Sequence, residues 1–335
     1  MWSEPGRAVR AAATTPRYGG PPPILADVPA EQVLRRLELA VTRRLDGLLQ
    51  GDYLGLLPGP GGEAGESREY RPGDDVRRMD WPVTARTTVP HVRETIADRE
   101  LESWVLVDLS ASLDFGTARC EKRDLAVAAV AAVSYLTAQG GNRVGAVVAS
   151  GGGKVTRLPA RNGRLAARAL LKRVIETPRA ADATRGGRPA GPDGSTDLAG
   201  ALESLRRPPR RRGMAVVVSD FLSDTDWAHP LRALGQRHEL LCVEIVDPRE
   251  LELPSVGVLT LVDPETGAAL EVQTGNRKLR ERYARAATEQ RDRIARSIRQ
   301  AGAGHLRLRT DGDWLLDVVR YVTARRRGAT GGAVR

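Results

Sequence analysis

The sequence predicts an α/β protein: a mostly parallel sheet flanked by helices, with a small N-terminal subdomain and a β-hairpin insertion. Three observations predict it. From residue 101 onward, short runs rich in Val, Leu and Ile alternate with longer runs of helical periodicity, the pattern of βαβ units. The short runs are almost continuously apolar, as strands covered on both faces are. They also run straight into polar turns, as in "VLVDLSASLDFG" at 105–116.

In chain order, residues 1–29 are rich in Pro, Gly, Ala and Arg, have no periodicity and are expected to be disordered. A subdomain is expected over 30–100. It opens on an amphipathic helix at 30–50, where Val33, Leu34, Leu37, Val41, Leu45 and Leu48 recur at helical spacing. A Gly-rich loop follows. In "REYRPGDDVRRMDWPVTARTTVPHVRE", 68–94, Pro72-Gly73 marks a tight turn. Asp75 is expected to cap a short helical turn through Val76 to Asp80, ended by Trp81-Pro82. Trp81 is expected to pack against the main domain.

The main domain is expected over 101–326. A strand at 103–108 leads to a helix at 119–139. Strands at 143–149 and 154–158, joined by Gly151 to Gly153, form a hairpin, so the second is an antiparallel edge. A helix at 163–176, a flexible connection at 178–195 and a helix starting near Asp197 follow. Next come a strand at 214–219, a helix near 228–236 and the strand "ELLCVEIVD". The D-P-E-T-G turn marks a hairpin insertion at about 255–273. A long helix at 276–301, the strand "HLRLRT" and a helix at 313–326 complete the domain, and 327–335 is expected to be a flexible tail.

Composition narrows the function. The formal net charge is +10, which favours anionic partners. Yet Lys122, Lys154, Lys172 and Lys278 are the only lysines, and the Arg-rich stretches lack interleaved aromatics for base stacking. The charge therefore reads as an arginine-rich composition, and nucleic acid is not the favoured partner. Cys120 and Cys242 are far apart, and the four histidines show no metal-ligand spacing. No secretory signal is apparent, and the apolar run at 125–138 is too short to span a bilayer. The expectation is a soluble cytoplasmic protein with no membrane span.

In an open α/β sheet, ligands bind beyond the carboxyl ends of the strands. There the first strand offers Asp108, with Ser110 and Ser112 in the turn. The 214–219 strand ends in Ser219 and Asp220, and "GSTDLAGAL" puts Thr196 just before a helix. These donors are all oxygen and suit a hard cation such as Mg²⁺, which keeps several of its waters. In this order they resemble the metal-ion-dependent adhesion site of von Willebrand factor A domains. The resemblance implies an A-like, Rossmann-like sheet and a divalent cation, Mg²⁺ with Mn²⁺ or Ca²⁺ as alternatives. It implies that Ser110, Ser112 and Thr196 contact the metal and that Asp108 and Asp220 act directly or through water. An open coordination position would take an acidic side chain of a protein partner. One departure is visible: Phe221 stands where the A-domain pattern has Gly.

The 68–94 stretch is similar to the signature of the family called domain of unknown function 58, and the resemblance extends over roughly 30–326. Members are commonly encoded beside MoxR-type AAA+ ATPases, which implies a chaperone-like or assembly role with such an ATPase. The reading is a non-enzymatic, metal-dependent docking module. Its rivals are a Mg²⁺-dependent phosphoesterase-type hydrolase and an Arg-rich nucleic-acid-binding protein. A haloacid dehalogenase-type phosphatase needs a second Asp two residues after the first, and that position is Ser110. Neither a G-x-S-x-G elbow nor a P-loop occurs.

Overall fold

The computed structural model describes residues 10–11, 29–41, 67–70, 76, 79–93, 102–139, 142–151, 153–179, 197–206, 213–263 and 268–331. Strand β1 (Arg10–Ala11) lies within the stretch expected to lack structure. Helix α1 (Ala30–Leu39) buries Val33, Leu34 and Leu37, as its periodicity requires. Strand β2 (Ser67–Glu69) pairs antiparallel with β3 (His91–Arg93), and helix α2 (Trp81–Thr87) lies between them in sequence.

Trp81-Pro82 starts a helix here rather than ending one. Proline is tolerated in a first helical turn because its missing N–H has no intrahelical partner there. Asp80 supplies the cap, its side chain accepting from the Val83 amide at 3.3 Å. Trp81 does not pack inward: it is 67% exposed, while the capping Asp80 is buried. The expected cap Asp75 lies outside the described residues.

The main sheet contains β4 (Glu102–Leu109), β5 (Arg143–Ser150), β6 (Lys154–Asn162), β7 (Met214–Ser219), β8 (Glu239–Val246) and β11 (Gly304–Arg309). Its order is β11-β8-β7-β4-β5-β6. All neighbours are parallel except β5 and β6, the antiparallel edge hairpin that the glycines predict. A second hairpin, β9 (Val258–Val262) with β10 (Ala269–Gln273), falls where the insertion is expected, and β1 pairs with β9. The D-P-E-T-G turn lies mostly outside the described residues.

Period-two alternation divides the core. Val105, Val107, Leu109, Val216 and Val218 face one side, with α3 (Lys122–Gln139), α4 (Arg164–Ile175), α8 (Trp314–Gly331) and α1. Trp104, Leu106, Val217 and Cys242 face the other, with α5 (Leu198–Arg206), α6 (Ala228–Gly235) and α7 (Arg277–Gln300). Helix α1 thus shares the core of the main sheet although it precedes the 68–94 signature in sequence. Chain order along the sheet reverses between β4 and β7, which brings the carboxyl ends of these two strands together at the place where open α/β sheets bind ligands.

Candidate metal centre

Asp108 sits near the end of β4 and is buried. Its Oδ1 accepts from the Ser110 amide at 3.0 Å, closing a short side-chain turn that stops the strand. A 3-10 turn at Ala111–Leu113 follows and brings the Ser110 and Ser112 hydroxyls within 3.1 Å of one another. The every-second-residue spacing of D-x-S-x-S thus becomes one tight turn with three oxygen side chains, all buried.

The second strand completes the group. β4 and β7 are parallel neighbours, with Val107 opposite Val218. One step further, the Ser219 hydroxyl donates to Asp108 Oδ2 at 2.8 Å. That bond spans 111 residues of sequence and joins the two halves of the predicted constellation. Asp220 comes next, its Oδ1 accepting from the Leu222 amide at 3.1 Å. Phe221 has φ of 57°, the left-handed backbone that favours glycine, and its amide donates to Ser219 Oγ at 3.0 Å. Thr196 lies outside the described residues. Its neighbour Asp197 opens α5, its Oδ1 accepting from the Gly200 amide at 2.7 Å.

Four of the five predicted residues, Asp108, Ser110, Ser112 and Asp220, therefore belong to adjoining strand ends. Sequence reasoning missed the cations beneath them. Lys122, at the start of α3, is fully buried and donates to Asp220 Oδ2 at 2.7 Å and to Glu250 Oε1. Gly116 lets the chain fold back to deliver it, because a Cβ there would lie 2.5 Å from the Cys120 carbonyl and from Glu121 Cα. Arg291 of α7 donates to the Asp220 carbonyl at 2.9 Å, to Glu244 Oε1 at 3.1 Å and to Glu250 Oε2 at 2.7 Å. Glu250 also accepts from the Asp247 amide at 3.1 Å in a capping box after β8. One signal pointed toward Lys122: it is one of only four lysines in a chain whose other cationic side chains are arginines.

The electrostatics follow from this arrangement. Burial, and then the charge of Asp220, push the Asp108 carboxyl up to about 6. Burial also works to raise Asp220, but the charge and hydrogen bond of Lys122 outweigh it and hold Asp220 below the usual carboxylate range. For Lys122, burial disfavours the ammonium, and the charges of Asp220 and Glu250 overcome it, so its pKa lies above the usual value. Asp108 is thus a buried carboxylate beside a second carboxylate, with hydrogen bonds but no cation of its own among the described contacts. Such a group, next to two hydroxyls, fits a hard cation. Among the described residues no cluster of three or more His, Cys, Asp or Glu is placed to hold a metal; the strand-end group consists of two carboxylates and the neighbouring hydroxyls.

Fold and site together define an α/β protein with a buried polar site of carboxylates, hydroxyls and paired cations where the strand order of a largely parallel sheet reverses. The chain belongs to the family described as "Protein of unknown function DUF58", which matches residues 66–293. An uncharacterized protein of Mycobacterium tuberculosis is 57% identical over 299 residues, 89% of this chain and 90% of its own length. An uncharacterized Mycobacterium avium protein is 48% identical over 178 residues, 53% of this chain and 99% of its own. Among solved structures, the conserved hypothetical protein BatB from Bacteroides thetaiotaomicron covers 68% of this chain and 99% of its own, with 13% identity and a TM-score of 0.39. An aerotolerance-related membrane protein from Bacteroides fragilis covers 67% and 98%, with 13% identity and a TM-score of 0.37. Among the described residues of this chain, no helix is long and apolar enough to cross a membrane.

Proposed function

We propose that this chain is a non-enzymatic, cytoplasmic docking module of von Willebrand factor A type, in which a divalent cation, Mg²⁺ first, mediates contact with a protein partner. Asp108, Ser110, Ser112 and Asp220 would hold the cation, with Thr196 as the fifth member carried by the resemblance. When bound, the cation would supply a positive centre to which a partner's carboxylate could coordinate. The partner is a MoxR-type AAA+ ATPase, on the family resemblance, and the role is chaperone-like or assembly.

The observation that carries the reading is the Ser219–Asp108 hydrogen bond, which joins the D-x-S-x-S turn to the strand end bearing Asp220. The described thiols offer little nucleophilic reactivity. Burial, then Asp124 and other carboxylates, push Cys120 up to about 12, and burial and Glu244 push Cys242 up as well.

The test is thermal melting with and without Mg²⁺. If the dissociation constant is about 1 mM, then ~10 mM Mg²⁺ stabilises the fold by roughly 1.4 kcal/mol. That is a rise of a few degrees in Tm, and Asp108→Asn should abolish it. An equal rise in wild type and variant would contradict the reading. Mg²⁺-dependent hydrolysis of a phosphate ester would favour the hydrolase instead. Duplex DNA binding with a steep salt dependence would favour the nucleic-acid binder.

A further inference from the structure

Each carboxylate oxygen of the candidate site already has a donor. Asp108 accepts from the Ser110 amide and the Ser219 hydroxyl. Asp220 accepts from the Leu222 amide and, at 2.7 Å, from the Lys122 ammonium. Three of these donors are neutral. Only Lys122 brings a full positive charge, and it does so from a fully buried position, shared between Asp220 and Glu250.

An ammonium has donors but no acceptor, so it can never be a metal ligand. It can only compete with a cation for the oxygen it holds. We infer that Lys122 is the affinity-setting residue of this site: its ammonium occupies Asp220 in place of the cation and keeps intrinsic metal binding weak. The inference rests on the metal-docking reading and adds a regulatory element to it. With Asp220 neutralised from below, the chain folds without metal. A cation must then share or displace the ammonium, and a carboxylate supplied by the partner makes good the lost negative charge. Binding of metal and partner is thereby coupled, each strengthening the other. Glu250 is the alternative seat, because it already takes one donor of the same ammonium and is braced by Arg291.

The experiment titrates Mn²⁺ into the full chain and follows the free-ion signal by electron paramagnetic resonance. Wild type is compared with Lys122→Gln and with the double variant Lys122→Met/Glu250→Gln. The double variant removes one positive and one negative charge, so the net charge of the cluster is unchanged. Gln at position 250 also retains an acceptor for the capping box. Both variants free Asp220 Oδ2 and should bind Mn²⁺ about tenfold tighter or more, because the ammonium lies 2.7 Å from that oxygen and a unit charge so close acts strongly in a buried site. If Lys122→Gln folds only when Mn²⁺ is present, the double variant carries the comparison, and that metal-dependent folding itself supports the inference. Measurable binding in wild type with equal or weaker binding in both variants would overturn the role of Lys122 and leave the metal site standing. Absence of binding in all three proteins would overturn the metal reading itself, and this inference with it.

Discussion

At position 221 a phenylalanine occupies a backbone conformation that suits glycine. A left-handed φ costs a residue with a Cβ about 1–2 kcal/mol. The local structure offsets the strain: the Phe221 ring is buried and meets Trp227 at a centroid distance of 5.1 Å, in a tilted pair. Beside it, Asp220 accepts from the Leu222 amide at 3.1 Å. A second residue-scale consequence concerns Glu244. Burial pushes its carboxyl up, but the hydrogen bond with His305 and the charges of Arg291 and Arg307 hold it below its usual 4.5. A depressed carboxylate contributes stability that is full above the unfolded-state value and is lost as pH falls through the lower folded-state value. Glu244→Gln should thus flatten the acid limb of the stability profile below about pH 4.5. It should also cost about 3 kcal/mol near neutrality by leaving Arg291 short of a partner. Urea unfolding of both proteins across that range checks this, and parallel acid limbs would count against it. At this scale the D-x-S-x-S spacing was legible because a two-residue period survives into the turn. The Lys122–Asp220 pair was not, because its partners are 98 residues apart and no local pattern encodes where a helix start will point.

Among the elements, helix α1 and the signature helix α2 differ in how far sequence could take them. The apolar positions of α1 repeat at 3.6 residues, and the structure buries that stripe against α3 and α4. The Trp81-Pro82 dipeptide is ambiguous. The residue before a proline resists helical geometry, yet proline itself suits a first turn, and only the Asp80 cap decides which rule governs. Trp81 then stands on an outward-facing turn. Two substitutions separate these roles. Leu34→Ala should cost about 2–5 kcal/mol, as a fully buried leucine does. Trp81→Ala should stay within about 0.5 kcal/mol. Chemical denaturation of both variants is the check. A large loss for Trp81→Ala would mean that the tryptophan is covered after all, and a negligible loss for Leu34→Ala would detach α1 from the core.

For the whole molecule, the alternation of strands and helices was enough to read a largely parallel sheet, while the glycines at 151–153 and the D-P-E-T-G turn marked its antiparallel edge and the later hairpin. Strand order was not readable, because it depends on which strands pair across long crossovers. That order makes the site: with β4 beside β7, residues 108–112 and 219–220 meet at one edge, and α3 and α7 send Lys122 and Arg291 beneath them. On the proposed function, this edge docks a protein through a divalent cation. Sedimentation velocity of the full chain mixed with a MoxR-type AAA+ ATPase tests it most directly, run in Mg²⁺, in excess chelator, and in Mg²⁺ with Asp108→Asn. A complex is expected in Mg²⁺ with the wild-type chain, lost both on chelation and with the variant. The same complex under all three conditions would contradict it.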